Sequence, residues 1–354
     1  AFFSKIYKYK TLLWVELKIL RQVVPFFPVS RIRGLFSGGK MEYTTDNISI
    51  IVQPRAAVHK YFSRSVYAMS YRIITDNCCD FPADMYNDLN LSVVPLVVRF
   101  QEKEVSQYSE KWLKKMYTGM REGEVATTAA ANPQDWADIM ESVLAAGEDA
   151  LVLTFSSGLS TTYQSAVIAA SELQEKYPDR KIRVIDTLCA SLGQGLLVWY
   201  ACKKRDEGMS FGELADWCEN NKLNLCHWFT VDDLMFLKRG GRISAATALV
   251  GTMLQIKPVL HVDDEGHLIN VSKARGRKAS IEALAKKVAE TGLPGENDTV
   301  FISHGDCLED AKLLEKILQE KYGVKSAFIY YVGAVIGSHS GPGTLALFFL
   351  GNKR

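Results

Sequence analysis

DALVLTFSSGLSTTYQSAVIAASELQEKY, residues 149–177, decides the fold. Ala150 to Phe155 form an apolar run too short for a buried helix, and its Val and Leu content suits a strand covered on both faces. The small residues Ser156-Ser157-Gly158-Leu159-Ser160 stop that strand, and a long helical pattern follows from Thr161 to Lys176. A strand that passes directly into a helix is half of a parallel βαβ unit. The flanking sequence repeats the arrangement. YRIIT (71–75), SVVPLVV (92–98) and KIRVID (181–186) are further short apolar runs, with helical segments at Ser109 to Arg121, Pro133 to Ala146, Thr161 to Lys176 and Ser191 to Glu207. Asn132-Pro133 is a helix start, with Asn as cap and Pro in the first turn. These four runs predict an open, mainly parallel, doubly wound α/β sheet.

The rhythm changes after residue 226. CHWFTV, KPVLHVD and HLINVSKA read as extended runs, the last two joined at Asp264-Glu265-Gly266 by a hairpin turn. A helix (Ser280 to Thr291), a strand (Thr299 to His304), a helix (Leu308 to Lys321), a strand (Ser326 to Val332) and a glycine-rich close follow. That mixture predicts a second, smaller α/β domain with a mixed sheet. We expect three parts: a basic N-terminal extension at 1–69 that is disordered or non-native, an N-terminal α/β domain at 70–226, and a C-terminal α/β domain at 227–354.

Composition narrows the function. The chain of 354 residues is 47% hydrophobic and 23% charged, as an ordinary globular protein is. Its net charge of +2 is unevenly spread: residues 1–68 hold 11 Lys and Arg against 3 Asp and Glu, leaving 31 against 37 elsewhere. The apolar patches of the leader are broken by Glu16, Lys18, Arg21, Pro25 and Pro28, so no run there approaches a membrane span, and no secretory signal pattern occurs. Met69, just before the first convincing strand, is the start we expect. Seven cysteines without a CxxC pair read as reduced core residues of a cytoplasmic protein, with no zinc site or disulfide framework.

Three stretches carry candidate chemistry. In the first, Ser157 and Gly158 lie where a parallel strand ends and a helix begins, and free backbone amides with the helix dipole make such a point a site for a carboxylate or phosphate. Equally well, Ser160, Thr161 and Thr162 merely cap the helix and Gly158 makes the turn. In the second, Thr127-Thr128-Ala129-Ala130-Ala131-Asn132-Pro133, small residues let backbone approach a ligand and Thr128 can donate to an anion, although a plain loop and cap account for it too. In the third, His339 lies between Ser338 and Ser340 with Gly337, Gly341 and Gly343 around it, and we expect a loop that holds the imidazole against a ligand. Two basic stretches, 238–244 and 272–278, can contact phosphate, but no aromatic residues interleave with them as single-stranded nucleic acid would require.

In order, ITDNCCDFP, TTAAANP, FSSGLSTTYQSA, IDTLCASLGQG, VDDLMFLKRGGRIS, GTMLQIKPVL, ARGRKA, SHGD and GSHSGPGTLALFFLG resemble the DegV family, which includes the fatty-acid-binding subunits of bacterial fatty acid kinase. The resemblance spans residues 70 to 354. It implies a long-chain fatty acid in a buried tunnel, with its acyl chain in the second domain and its carboxylate at the crevice between domains. It places the head-group residues on Thr128, Ser157 and His339, with Thr127 as the fallback because Ala129-Ala130-Ala131 departs from the family pattern. It implies a docking role toward an ATP-binding kinase subunit for Arg242 and Arg275, and it implies a carrier with no catalytic residue, metal or cofactor. The principal rival is an acyl hydrolase or transferase with Ser157 as nucleophile and His339 as base, which lacks the GxSxG elbow and an orienting carboxylate. A nucleotide or sugar-phosphate module is a third reading, without a P-loop or a Rossmann glycine fingerprint.

Overall fold

The computed structural model describes residues 71–244 and 255–354, together with the backbone of three strands between residues 33 and 52. Those three, β1 (Arg33–Ser37), β2 (Lys40–Thr45) and β3 (Ile48–Val52), pair antiparallel in the order β1-β2-β3. They fall inside the expected 1–69 extension, where KMEYTT alternates and ISIIV is β-branched, as strands favour. The rest of the expected 1–69 extension lies outside the described residues.

In the larger unit, β4 (Tyr71–Asp76), β5 (Leu91–Val94), β9 (Asp149–Thr154) and β10 (Ile182–Asp186) form a wholly parallel sheet in the order β10-β9-β4-β5. Its double winding follows from the period-two alternation of side chains. Ile73, Leu151, Leu153 and Ile185 point to one core, packed with α5 (Leu192–Asp206) and α6 (Phe211–Asn221). Ile74, Ala150 and Val152 point to the other, against α3 (Pro133–Ala145) and α4 (Thr162–Lys176), where Trp136, Met140 and Ala166 are fully buried. After α1 (Ala83–Asp88) and α2 (Glu110–Arg121), helix α3 opens at Asn132 with a complete capping box and Pro133 in its first turn.

SVVPLVV does not behave as a single strand. Pro95 has no amide hydrogen for a ladder, so the parallel strand β5 ends at Val94. The chain leaves as β6 (Val97–Phe100), which pairs antiparallel with β7 (Lys103–Val105) and β8 (Thr127–Ala129). The expected loop around Thr128 is therefore partly a strand, with Thr128 paired opposite Val98.

The second sheet has six strands in the order β13-β12-β11-β16-β14-β15, where β11 is Leu225–Thr230, β12 Ile256–Val262, β13 Leu268–Arg275, β14 Thr299–His304, β15 Ser326–Tyr331 and β16 Leu345–Leu350. Only β14 and β15 run parallel, so the sheet is mixed. One face packs on α8 (Arg277–Thr291) and α9 (Leu308–Tyr322) through Leu284, Leu314 and Leu318. The opposite face presents Phe229, Leu260, Phe301, Ala346 and Phe348 to the core that also holds α5. Buried almost all round, α5 lies between the sheets, as a helix without a polar stripe must. Gly193 permits the close fit, because a β-carbon there would overlap His227 Nε2.

Candidate functional site

In an open parallel sheet, ligands collect beyond the carboxyl ends of strands where the winding changes direction. Here that point lies between β4 and β9, since β5 is added on one side of β4 and β9 on the other. Asp76 closes β4 and is fully buried. Its carboxylate accepts hydrogen bonds from Phe155 N (2.7 Å), Cys78 N (3.0 Å) and Gln194 Nε2 (3.1 Å). Burial nevertheless pushes its pKa up to about 6, against those donors.

Beyond this point lies an apolar cavity. Phe155, Leu159, Phe229, Val262, Val335 and Phe348 supply much of its wall, so it reaches from the first sheet to the inner face of the second. Its space, about 120 Å3, is of the order of the engineered cavity of roughly 150 Å3 that accepts a benzene ring. Polar groups interrupt the wall: Thr128, Ser160, Arg242 and His339 among them, with Ser191, His227 and Ser303 also facing in.

Thr128 and His339, 211 residues apart, meet here, with Thr128 Oγ1 2.7 Å from His339 Nε2. The expected glycine loop is a short helix, α10 (Ala334–Ser340), with His339 in its last turn. The glycine that admits the imidazole comes from elsewhere. A β-carbon on Gly240, just after α7 (Met235–Arg239), would overlap His339 Nδ1, whereas Gly341, at φ 80°, makes room for the Phe236 ring. Burial first, and the Arg242 guanidinium second, hold the His339 pKa down to about 4. The ring is thus neutral at neutral pH and offers one N–H with its charge supplied by a neighbour.

Arg242, for which a docking role was expected, is that neighbour. Its side chain folds into the cavity wall, where Nε donates to Leu159 O (3.2 Å) and Nη1 to Gly240 O. Among the described residues it has no carboxylate partner, so it is a half-buried positive charge facing an apolar space. The glycines before it turn the chain back, with Gly241 at φ 73°. Arg275, by contrast, ends β13 and is exposed.

Ser157 and Gly158, expected as head-group contacts, are not among the residues that line the cavity. The expectation of free amides fails for a specific reason: each amide from Ser156 to Ser160 already has a protein acceptor. Ser156 N donates to Cys189 O, Ser157 N to Asp186 Oδ1, Gly158 N to Ser156 Oγ, and Leu159 N and Ser160 N to Ser156 O, all at 3.1 Å. Gly158 instead packs on the Glu265–Gly266 turn, where a β-carbon would overlap backbone. The single turn closed by Ser160 N puts Leu159 and Ser160 on the wall. Ser160 Oγ also accepts the Thr162 amide (3.2 Å) at the start of α4. Thr128, His339, Arg242 and Ser160 thus bring four polar side chains to the wall of one otherwise apolar cavity.

Comparison with known proteins fits this architecture. The family model for DegV, described as an uncharacterised protein family, matches residues 70–352. The chain belongs to the DegV family. A DegV domain-containing protein of Clostridium perfringens is 45% identical over 284 residues, covering 80% of this chain and 98% of that protein. Among solved structures, a DegV family protein of Thermus thermophilus described by its fatty acid binding aligns with a TM-score of 0.72 at 32% identity, covering 80% of this chain and all of that one. A DegV lipid-binding protein of Thermotoga maritima gives 0.70 at 29% identity over 81% of this chain and all of that one. No helix among the described residues is long and apolar enough to cross a membrane, and no group of three or more acidic, His or Cys side chains among them is placed to hold a metal.

Proposed function

We propose that this DegV protein binds one long-chain fatty acid, its acyl chain in the apolar cavity and its carboxylate at Thr128, His339, Ser160 and Arg242. The observation that carries this reading is the half-buried Arg242, without a carboxylate partner among the described residues, beside a neutral His339 at one point of an otherwise apolar cavity. Each methylene removed from water contributes about 0.8 kcal/mol, so the chain dominates affinity. A buried carboxylate without donors is costly, so the polar end selects the head group. The fatty-acid- and lipid-binding descriptions of the Thermus and Thermotoga relatives support the reading. At about 120 Å3 the cavity takes a long chain only when its walls part.

The finer reading is that the bound acid is presented to an ATP-binding kinase subunit for phosphorylation. With Arg242 turned inward, the docking charge falls on the exposed Arg275. A cytoplasmic setting belongs to the same proposal, in keeping with six buried free thiols. The geometry disfavours a Ser157 and His339 hydrolase, because only the histidine lines the cavity. The test is titration of delipidated protein with a fluorescent fatty acid, with an activated acyl ester tried in parallel. Saturable binding at one site per chain, weakened by His339→Ala and Thr128→Ala, is expected. Ester turnover by the protein alone, or no saturable binding, overturns it.

A further inference from the structure

Asp80 has no part in the fatty-acid reading, yet it is among the most unusual groups in the molecule. It is 3% exposed and has left-handed backbone geometry, with φ 55°. One oxygen, Oδ2, accepts the Ser191 hydroxyl at 2.5 Å. The other, Oδ1, is buried without a hydrogen-bond partner. It lies against Gly333, where a β-carbon would overlap it, and the Tyr108 hydroxyl borders the same point. The Gly333 amide favours the ionised carboxylate but does not form a well-aligned bond to it. Among the described residues Asp80 has no ion-pair partner.

Asp80, Gly333 and Tyr108 all belong to the wall of a second cavity, about 440 Å3 in volume and distinct from the first. Phe81, Tyr86 and Tyr330 add aromatic surface to it. Among its described lining residues there is no Lys, Arg or His, and Asp80 is the one charged group. Asp80, Asp84 and Glu110 all act on its tyrosines, so these acids make the local field more negative. A partly enclosed space with aromatic rings and one buried carboxylate is the chemistry that recognises an ammonium group. The carboxylate supplies charge in a poorly screened setting, and ring faces attract cations.

We propose that this second cavity binds a small organic cation, an alkylammonium ligand, with Asp80 as counter-charge and the surrounding tyrosines as its walls. The proposal does not depend on fatty acid binding in the first cavity. Its test uses the full chain and three probes of one size, n-butylammonium, n-butanol and butyrate, titrated by calorimetry at pH 8. The expected result is at least a tenfold tighter Kd for the ammonium than for the alcohol, and no butyrate binding. In Asp80→Asn, checked for an intact unfolding transition, the ammonium preference disappears. A second variant, Asn87→Trp, puts a large ring on an exposed residue of the cavity wall and blocks the ammonium without touching Asp80. Equal affinity for alcohol and ammonium, a preference that survives Asp80→Asn, undiminished binding in Asn87→Trp, or no ammonium binding overturns the assignment.

Discussion

Arg242→Met separates head-group recognition from chain burial. The methionine keeps an unbranched apolar stem where the arginine stem packs, and removes only the guanidinium. That charge lies half-buried on the cavity wall with no carboxylate partner among the described residues, so a bound carboxylate is its natural counter-ion. Hydrogen bonds to charged groups contribute about 1.5–3 kcal/mol, and a pair at about 4 Å in a partly shielded site is bounded by roughly 4 kcal/mol. Taking 2–3 kcal/mol, palmitate affinity should fall roughly 30- to 150-fold. Hexadecanol buries the same chain without the charge, so its affinity should change less than threefold. Displacement of a fluorescent fatty acid from delipidated protein reads both. The loss of the guanidinium should also raise the His339 pKa from about 4, because Arg242 is one of its two depressing influences, though burial will hold it below its ordinary value. Equal loss for acid and alcohol would show that Arg242 acts only as packing, and unchanged palmitate binding would refute its role at the head group.

Two other substitutions probe the same architecture. Gly240→Ala forces a β-carbon into His339 Nδ1, so the imidazole must leave Thr128, and palmitate binding should weaken about tenfold or more while the unfolding midpoint falls by a few degrees. Asp80→Asn tests the buried acid through stability. Burial raises the folded-state pKa of Asp80 from 3.8 to about 7, so between those values the folded protein holds a proton that the unfolded chain has lost, and wild-type stability falls as pH rises. The penalty is absent below about pH 4 and complete above about pH 7, where it reaches at most about 4 kcal/mol. Chemical denaturation at pH 4, 6 and 8 should show Asp80→Asn gaining on wild type across that interval, and a constant difference would contradict the assigned shift.

The sequence carried the two sheets well, because strands covered on both faces leave short apolar runs and the intervening helices keep their caps. Asn132-Pro133 and the Asp264 to Gly266 turn are local signals that long-range packing does not override. That Thr128 and His339 meet at one cavity wall was legible for a weaker reason: each sits among small residues that let backbone approach closely. The features that were not legible share a cause, which is that hydrogen-bond partners lie far away in sequence. Nothing in FSSGLS shows that Cys189 and Asp186 consume its amides. Nothing in KRGGRIS shows that its arginine turns back toward Leu159. Pro95 was a readable break inside SVVPLVV, and its missing amide hydrogen was the signal that the run divides between two sheets. The Asp80, Ser191 and Ser303 hydroxyl and carboxylate cluster joins residues more than 100 positions apart, so no local pattern announces it.

The central claim, that the cavity behind His339 is built for one fatty acid, is tested most directly by weighing the protein as it comes from cells. Native mass spectrometry of the purified chain, followed by denaturation and analysis of what is released, should give a single adduct per chain that is recovered as a long-chain carboxylic acid. The adduct should be depleted in Arg242→Met and His339→Ala proteins of unchanged fold. An intact mass equal to that of the bare chain, in folded protein that also fails to take up added palmitate, would contradict the account.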